Sequence, residues 1–420
     1  MCGEGNAGPS QTAPKTNLSP PTWEDISLPA DHILRHLTDA HCHPTDLDLP
    51  ERHHAEAKLG SIAAMATAAG DQDKVRALGR KRGWKKGQLN PRGGQEGVSV
   101  VSCFGYHPWF THRYSLLPSL PSKEDHYTSL FSTPKSDPNS KNRTLLRSLL
   151  PYLPDPIPFQ PLLDKLRADI QGSLDQGNLT MLGEIGLDSQ ARMRWPTDPA
   201  ARILYAVYLG EKGKEMDPYE ETKDGEWKRL TMFKTDMKHQ RRIVEMQMEV
   251  AVELGVNVSF HCVAAPGQTL EVLTSFRDKH RSRFTNRINV DLHSAGGWQP
   301  EFWRNAQKQL LNLYASPSVL ITGRVGHANE LLKAISDDRM LVESDSHDVR
   351  MMASWVWGAV EWMAAVKGWK VEGKDDDGSE WTMDAMEEEV VGRKGKVEKG
   401  DVWAVRTLER NWARFMHIVD

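Results

Sequence analysis

Residues 37–46, with the sequence LTDAHCHPTD, place two histidines two positions apart at the end of a short apolar run. A β-strand directs residues i and i+2 to the same face of its sheet, so His41 and His43 can approach a single ion. A single histidine at a strand end is more often a hydrogen-bonded core or surface residue than a metal ligand. The pair therefore needs support from the rest of the chain.

Eight short apolar runs, of which this is the first, are spaced along the chain, and most are followed by a helix-like segment. They lie at 32–38, 61–66, 98–105, 179–186, 256–261, 287–293, 318–323 and 339–345. Strands that alternate with helices are typical of a parallel α/β fold, and eight such units predict a closed (β/α)8 TIM-type barrel. The Ala-rich run at 61–66 also fits a helix.

Composition divides the chain into a leader and one domain. Residues 1–28 are rich in Pro, Ser, Thr and Gly and poor in apolar residues, which predicts a disordered leader. Residues 29–420 are expected to form a single barrel. Polar stretches near 80–97, 113–159, 189–236 and 370–401 interrupt it, and loops of this length are usually functional lids or disordered. The last of them is mostly charged, which favours a solvated excursion.

Net charge and cysteine content exclude several classes of protein. The formal net charge is -4, so any contact with nucleic acid must be local. The four cysteines form no CxxC motif, which argues against a disulfide scaffold or a zinc finger. No signal peptide or run long enough to span a bilayer is visible. The sequence predicts an intracellular protein with no membrane attachment, compatible with cytoplasm or nucleus.

Side chains that can bind metal fall at the ends of five predicted strands. They are His41, His43, Glu184, His261, His293 and Asp345. In a barrel the carboxyl ends of the strands meet at one mouth, where catalytic residues lie. Six ligands exceed one tetrahedral shell, so the set predicts two divalent ions. Imidazole with carboxylate favours zinc, with manganese as an alternative, or magnesium where carboxylates and water dominate the coordination.

Six segments resemble, in order and position, the motifs of the TatD-like DNase family, a branch of the metal-dependent hydrolase (amidohydrolase) superfamily. The segments are DAHCHP, GYHPW, GEIGLD, VSFHC, DLHSAGG and LVESDS. The resemblance begins at Leu37 and extends to the closing LERNWARFMHI. It leaves the insertions uncovered. The insertions and the C-terminal pattern are similar to a fungal subgroup named for interaction with a TPR subunit of the anaphase-promoting complex, which implies a TPR-protein partner.

The resemblance also implies how the ligands divide between the ions. The ligands of the first ion would be His41, His43 and Asp345, and those of the second His261 and His293. Glu184 would bridge the ions, a role that suits a carboxylate because it offers two oxygens whereas a neutral imidazole offers one nitrogen. His107, in the GxHP position, would face the substrate phosphate. Its alternative role is a capping side chain before Pro108.

Such a centre implies hydrolysis of an ester bond. Two neighbouring ions lower the pKa of a bridging water and stabilise the attacking and leaving oxygens of a phosphodiester. Asp345 can accept the proton of the attacking water, and His107 can donate to a phosphate oxygen or protonate the leaving group. The sequence therefore predicts a metal-dependent hydrolase, foremost a phosphodiesterase or deoxyribonuclease that acts on nucleic acid, with Asp345, Glu184 and His107 as its catalytic residues.

Departures from the family pattern concern the substrate. Val263 stands where the family usually has arginine, and His347 stands where it usually has proline. His347 either adds a proton donor or alters a turn. Trp109 and Trp298 follow motif segments and could stack a nucleobase, but core packing is favoured for both. The sequence therefore supports hydrolysis as the reaction more strongly than it supports DNA as the substrate.

Two other classes of function remain open. The first is a hydrolase of a small amide, ester or lactone, since one fold serves many reactions. Two-metal members of that class often bridge their ions with a carbamylated lysine, so Glu184 favours the phosphodiester branch. The second is a non-catalytic barrel whose insertions bind another protein.

Overall fold

The computed structural model describes residues 18–91, 96–131, 141–211, 213, 227, 229–376 and 401–418. Seven parallel strands form one sheet at the centre of the fold. In sheet order they are Thr38–Cys42, Ser61–Met65, Ser99–Phe104, Thr180–Asp188, Asn257–Val263, Val290–His293 and Leu313–Ser316. Sheet order equals chain order for these strands, which is the connectivity of a barrel wound in one direction.

The segment 340–346 closes the barrel between its last and first strands. Leu341 N donates to Ala315 O at 2.8 Å, and Ala40 N donates to Val342 O at 2.9 Å. Asp345 N also donates to His41 O, at 3.0 Å. The predicted (β/α)8 TIM-type barrel is thus confirmed, as a nearly closed ring of seven regular strands completed by this segment. The Ala-rich run at 61–66 is a strand, Ser61–Met65, and not a helix.

The predicted seventh strand at 318–323 is wrong. The strand is Leu313–Ser316, and Pro317 follows it directly. Proline has no N–H to donate to a neighbouring strand, so it ends the strand there. The next residues instead bond locally, with Ser318 N donating to Thr322 Oγ1 at 3.2 Å and Gly323 N to Ser318 O at 3.0 Å. These bonds lead into the 3-10 helix Thr322–Arg324.

Helices pack around the outside of the barrel. The longer ones are Gln72–Arg82, Phe159–Asp175, Met237–Leu254, Pro266–His280, Pro300–Gln309, Ala328–Ala334, Val349–Lys367 and Ala404–Phe415. Short helices lie at Asp31–Leu34, Arg52–Ala55 and Ser282–Thr285. Local sequence determines where these helices begin and end. At the start of helix Met237–Leu254, Asp236 accepts hydrogen bonds from Lys238 N and His239 N, and Gly255 (φ 67°) ends this helix. Large side chains such as Phe260 and Trp357 fill the layer between strands and helices.

The insertions at 113–159 and 189–236 pack on one another and form what we call the insertion cap. The first contributes helices Lys123–Phe131 and Lys141–Leu149, and the strand Tyr114–Ser115 paired with Ile157–Pro158. The second contributes helix Pro199–Gly210 and the antiparallel hairpin of Arg192–Arg194 with Leu230–Lys234. Their buried side chains form a separate hydrophobic cluster: Tyr127, Leu146, Leu149, Leu153, Met193, Trp195, Trp227 and Phe233.

The remaining polar stretches are also fixed to the barrel where the structure describes them. Trp84 is fully buried, although it lies in the predicted insertion 80–97. Glu372 accepts hydrogen bonds from the N–H groups of Val405 and Arg406 at 2.8 and 2.9 Å, and so caps the last helix. Of the predicted excursion 370–401, residues 377–400 lie outside the described part of the chain.

The structure describes the second part of the predicted leader, residues 18–28. Its residues 1–17 lie outside the described part of the chain. Leu18, Ile26 and Leu28 are partly buried against the barrel core, and Trp23–Asp25 forms a 3-10 helix. Although the leader has few apolar residues, these three are partly covered by their contact with the barrel. Among the described helices, none combines the length and the apolar character that crossing a membrane requires.

Candidate metal and active site

The six predicted ligands meet at one mouth of the barrel, around the carboxylate of Glu184. Glu184 Oε1 lies 2.7 Å from His261 Nδ1 and 2.8 Å from His293 Nε2. Its Oε2 lies 3.4 Å from His41 Nε2 and 3.5 Å from His43 Nε2. Both oxygens of one carboxylate therefore face imidazole nitrogens from three other strands.

Asp345 and His107 complete the cluster from opposite sides. Asp345 Oδ1 lies 3.4 Å from His43 Nε2 and 3.9 Å from His41 Nε2. His107 Nε2 lies 3.1 Å from Glu184 Oε1, as near as the predicted ligands. Three groups have ligand atoms within 4.8 Å of one another, and these groups are able to hold metal ions. They are His41, His43 and Asp345; His41, Glu184 and His293; and His107, Glu184 and His261.

The donor atoms fit divalent metal ions. His41 is fully buried, its Nδ1 lies 2.7 Å from Ser259 Oγ, and its Nε2 has no hydrogen-bond partner. A buried polar nitrogen without a partner is costly, and this one is directed at the two carboxylates. Histidine nitrogens and carboxylate oxygens converging in this way are the donor set of zinc sites, with manganese also suited.

Charges inside the cluster set the ionisation of its carboxylates. Burial acts to raise the pKa of Glu184, but the surrounding His107, His293 and His41 hold it well below its usual value. Burial likewise opposes ionisation of Asp345, yet contact with His43 and the charge of His41 lower its pKa to about 2. Both carboxylates are ionised at neutral pH, as metal ligands must be.

A second layer of polar side chains, not predicted as functional, supports the ligands from below. Its members lie two positions before a ligand: Asp39, Ser259, Asp291 and Glu343. Glu343 Oε1 lies 3.8 Å from His293 Nδ1, and Ser316 Oγ donates to Glu343 Oε2 at 2.6 Å. Strand alternation was the available signal, because residues i and i−2 share a face. Such partners orient ligating side chains.

The GEIGLD segment brings the fourth and fifth strands close together. Gly186 has φ 153°, and a Cβ at this position would lie 1.9 Å from His261 O, so only glycine fits. Asp188, which the prediction missed, is buried and its Oδ2 lies 3.5 Å from His261 Nε2. It also accepts a hydrogen bond from Trp109 Nε1. Asp188 therefore contacts one predicted ligand, His261, and one residue of the mouth, Trp109.

A cavity of about 330 Å³ opens over the cluster. Trp109 lines it and is 46% exposed, so core packing is wrong for this residue, whereas Trp298 is fully buried as predicted. His347 also lines the cavity, with Nδ1 2.7 Å from Asp46 Oδ2 and its ring 5.1 Å from that of His43.

The chain belongs to the TatD related DNase family, and the sequence model of this family matches residues 38–373. This family defines the class of the protein as a hydrolase fold, with which side-chain groups able to hold metal ions are consistent. A curated relative, Cut9-interacting protein scn1 of Schizosaccharomyces pombe, is 27% identical over 369 residues, which cover 81% of this chain and 95% of the relative.

Similar solved structures include two from the same family. A TatD family hydrolase from Entamoeba histolytica aligns with 11% identity and TM-score 0.44, over 92% of this chain and 88% of its own. A TatD homologue from Escherichia coli aligns with 12% identity and TM-score 0.41, over 91% of this chain and 98% of its own.

Proposed function

We propose that this protein is a metal-dependent phosphodiesterase whose substrate is nucleic acid. The observation that carries the proposal is the meeting of four ligand histidines, Asp345 and His107 around the single carboxylate of Glu184 at the carboxyl mouth of the barrel. Family membership supports hydrolysis as the reaction class. A bridging glutamate in place of a carbamylated lysine supports a phosphodiester over an amide or lactone.

The cluster offers ligands for two divalent ions. His41, His43 and Asp345 would hold the first, His261 and His293 the second, and Glu184 would lie between them. Zinc suits the imidazole-rich set best, with manganese or magnesium as alternatives. When bound, such ions act as Lewis acids toward water and phosphate oxygens.

His107 supplies a hydrogen-bond donor to this mouth. Trp109 N donates to His107 Nδ1 at 3.1 Å, which confirms the capping role considered for this histidine. Because Nδ1 accepts that bond, the ring proton lies on Nε2, which faces the cluster. His107 Nε2 can therefore donate to a phosphate oxygen of the substrate. Asp345 can receive the proton of the attacking water, because its carboxylate is ionised and faces the same cavity.

Replacement of Glu184 tests the proposal. We expect Glu184→Ala to lower turnover of bis(4-nitrophenyl) phosphate and of end-labelled single-stranded and double-stranded DNA by at least about a thousandfold. Bound metal should fall with it, measured by mass spectrometry after loading with zinc, magnesium or manganese in separate samples. A chelator should abolish wild-type turnover, and readdition of metal should restore it.

The control variant is Glu301→Ala, which removes a glutamate whose side chain is 84% exposed on helix Pro300–Gln309. It should retain both turnover and metal. Circular dichroism should show a folded barrel in both variants. Unchanged turnover in Glu184→Ala would remove the catalytic hypothesis, and wild-type turnover of amides or lactones alone would select the alternative hydrolase.

A protein-binding role is the second candidate, supported by the name of the relative, Cut9-interacting protein scn1. We propose a TPR protein as the partner, which is compatible with residence in the cytoplasm or the nucleus. Co-elution of the full chain with the purified TPR subunit of the anaphase-promoting complex tests this role. Glu184→Ala should retain that complex, since the substitution lies inside the barrel mouth, whereas absence of a wild-type complex would reject the partner.

A further inference from the structure

A second chamber adjoins the metal cavity and is built largely by the insertion cap. Its volume is about 750 Å³, and both insertions contribute to its walls. The two cavities share four lining residues: Trp109, Phe110, Arg194 and Val263. A ligand bound at the cluster of predicted metal ligands can therefore extend from the first cavity into the second.

Three arginines give the second chamber a positive charge. Arg192 and Arg194 lie on the exposed face of the cap hairpin, whereas Met193 between them is buried in the cap core. Arg113 lines the same chamber, and its Nε is buried with no hydrogen-bond partner. Asp188 is the one acidic residue in the described lining, and His261 and Trp109 already contact it.

No carboxylate of the described residues forms an ion pair with any of these three arginines. Other arginines do form ion pairs with carboxylates, as Arg241 does with Glu245 at 2.9 Å. Guanidinium groups that converge on a cavity without a protein partner suit phosphate, which they bind with two parallel N–H donors. The chamber therefore fits an anionic ligand.

Aromatic side chains distinguish a nucleic acid from other anions. Trp109 lines both cavities with 46% of its surface exposed, and Tyr152 lines the second chamber. The bond from Trp109 Nε1 to Asp188 holds the indole in place beside the metal cluster. Unpaired bases stack on such rings, whereas the bases of a duplex are already stacked on each other.

We propose that the insertion cap is a subsite for single-stranded nucleic acid, in which Arg113, Arg192 and Arg194 bind phosphates next to the one positioned at the metal cluster and Trp109 stacks on a base. Arg194, which lines both cavities, contacts the phosphate nearest to the cluster. This inference rests on the proposed phosphodiesterase function and specifies its substrate class.

The test compares the double variant Arg192→Gln/Arg194→Gln with Lys234→Gln. Lys234 lies on the same hairpin, bonds to Gln190 Oε1 at 2.8 Å, and lines neither cavity. Binding of fluorescein-labelled pentathymidylate to the full chain is measured by anisotropy in EDTA, which prevents turnover. We expect the double variant to bind about tenfold more weakly or worse, because it cannot form charge-assisted hydrogen bonds to phosphate, and Lys234→Gln to bind as the wild type does.

Salt dependence separates phosphate binding from a structural role. Each arginine that neutralises a phosphate contributes about 0.7 to the slope of log affinity against log salt for a single strand, so the double variant should reduce the slope by about 1.4. Arg192→Lys/Arg194→Lys keeps both charges and should keep most of the slope. An unchanged slope in the glutamine variant, or equally weakened binding in Lys234→Gln, would overturn the subsite. So would equally tight binding of a polyglutamate peptide of the same charge.

Turnover distinguishes this inference from the proposed function. With metal present, the ratio of kcat/KM for pentathymidylate to that for bis(4-nitrophenyl) phosphate should fall about tenfold in the double variant. If the wild type hydrolyses neither substrate but binds pentathymidylate through the arginines, the proposed function fails and the binding subsite stands. If it hydrolyses both with an unchanged ratio, the function stands and the subsite fails.

Discussion

The barrel and the insertion cap achieve their structures in different ways. The barrel brings ligands from strands between Thr38 and Asp345 into one cluster through a continuous ladder of backbone hydrogen bonds and one large core. The cap joins two insertions around a cluster of a few large side chains, and leaves apolar residues such as Ile203 and Val207 more than half exposed. Rigid strands thus hold the predicted metal ligands, whereas the smaller unit borders the cavity beside them.

This difference predicts two levels of local stability. A region with few buried side chains opens with a lower free energy than a core strand does. The cap should therefore be able to unfold while the barrel remains intact, and the reverse should not occur. Three experiments test how far the two regions differ.

The largest effect should come from removing one large side chain from each core. Phe260→Ala in the barrel and Trp195→Ala in the cap each remove a buried ring at a cost of about 3–5 kcal/mol. We expect Phe260→Ala to lower the free energy of unfolding of the whole chain. Trp195→Ala should instead raise hydrogen exchange only in cap segments such as Lys141–Leu149 and Leu230–Lys234. Exchange measured by mass spectrometry resolves the two, and equal exchange of barrel strands in both variants would make cap and barrel one cooperative unit.

A smaller effect is expected from the second layer of polar side chains, which lies beneath the predicted metal ligands. Ser259→Ala removes the hydroxyl 2.7 Å from His41 Nδ1 and so removes one contact that orients this ring. We expect metal affinity to fall about 10–100-fold, measured by competition with a chelating dye. The control is Ser61→Ala, which removes another buried strand serine, 2.6 Å from Thr38 Oγ1. An equal fall in both variants would mean that the effect is general to the barrel.

The smallest effect should be a pH dependence of the cap. Burial lowers the pKa of His112 to about 4, with the charge of Arg113 acting in the same direction. In the unfolded chain this imidazole titrates near its ordinary value of about 6.5. Its contribution to cap stability is therefore complete above about pH 6.5 and is lost as the pH falls toward 4.

Hydrogen-exchange protection of segment Lys141–Leu149, measured from pH 7 to 4, tests this dependence. Titration of His112 alone should contribute a fall in protection of at most about tenfold per pH unit. His112→Gln should flatten the curve but not abolish it, because burial also lowers the pKa of His126 and His239. A curve identical to that of the wild type would exclude His112 as the group responsible.

Most strand positions in the barrel could be predicted from apolar runs bounded by turn residues. The first predicted run, 32–38, lies too early, because its first residues form helix Asp31–Leu34 and the strand is Thr38–Cys42. Pro317 explains the misplaced seventh strand. The apolar residues continue past this proline, but the missing N–H ends the ladder. The second polar layer follows from alternation along the same strands, so Ser259 and Glu343 were also within reach of sequence reasoning. The division of the six ligands between two ions stays a prediction, which metal loading of the variants tests.

The cap could not be predicted in the same way. Tyr127 and Leu146 come from one insertion and Trp195 from the other, and no helical or strand period connects them. A contact between distant segments depends on where the barrel places their ends, which local patterns do not encode. The exposure of Trp109 could not be predicted from the sequence either, because its hydrogen bond to Asp188 forms only in the folded protein.

The amino-acid sequence was sufficient to determine the barrel class, the order of its strands and the side chains able to bind metal, because alternation along a strand and the shared mouth of parallel strands are local rules applied repeatedly. Folding in three dimensions decided which oxygen of Glu184 faces which imidazole, and that Arg192 and Arg194 face a chamber beside the cluster. Those relations depend on distances between residues far apart in the chain, and only packing sets such distances.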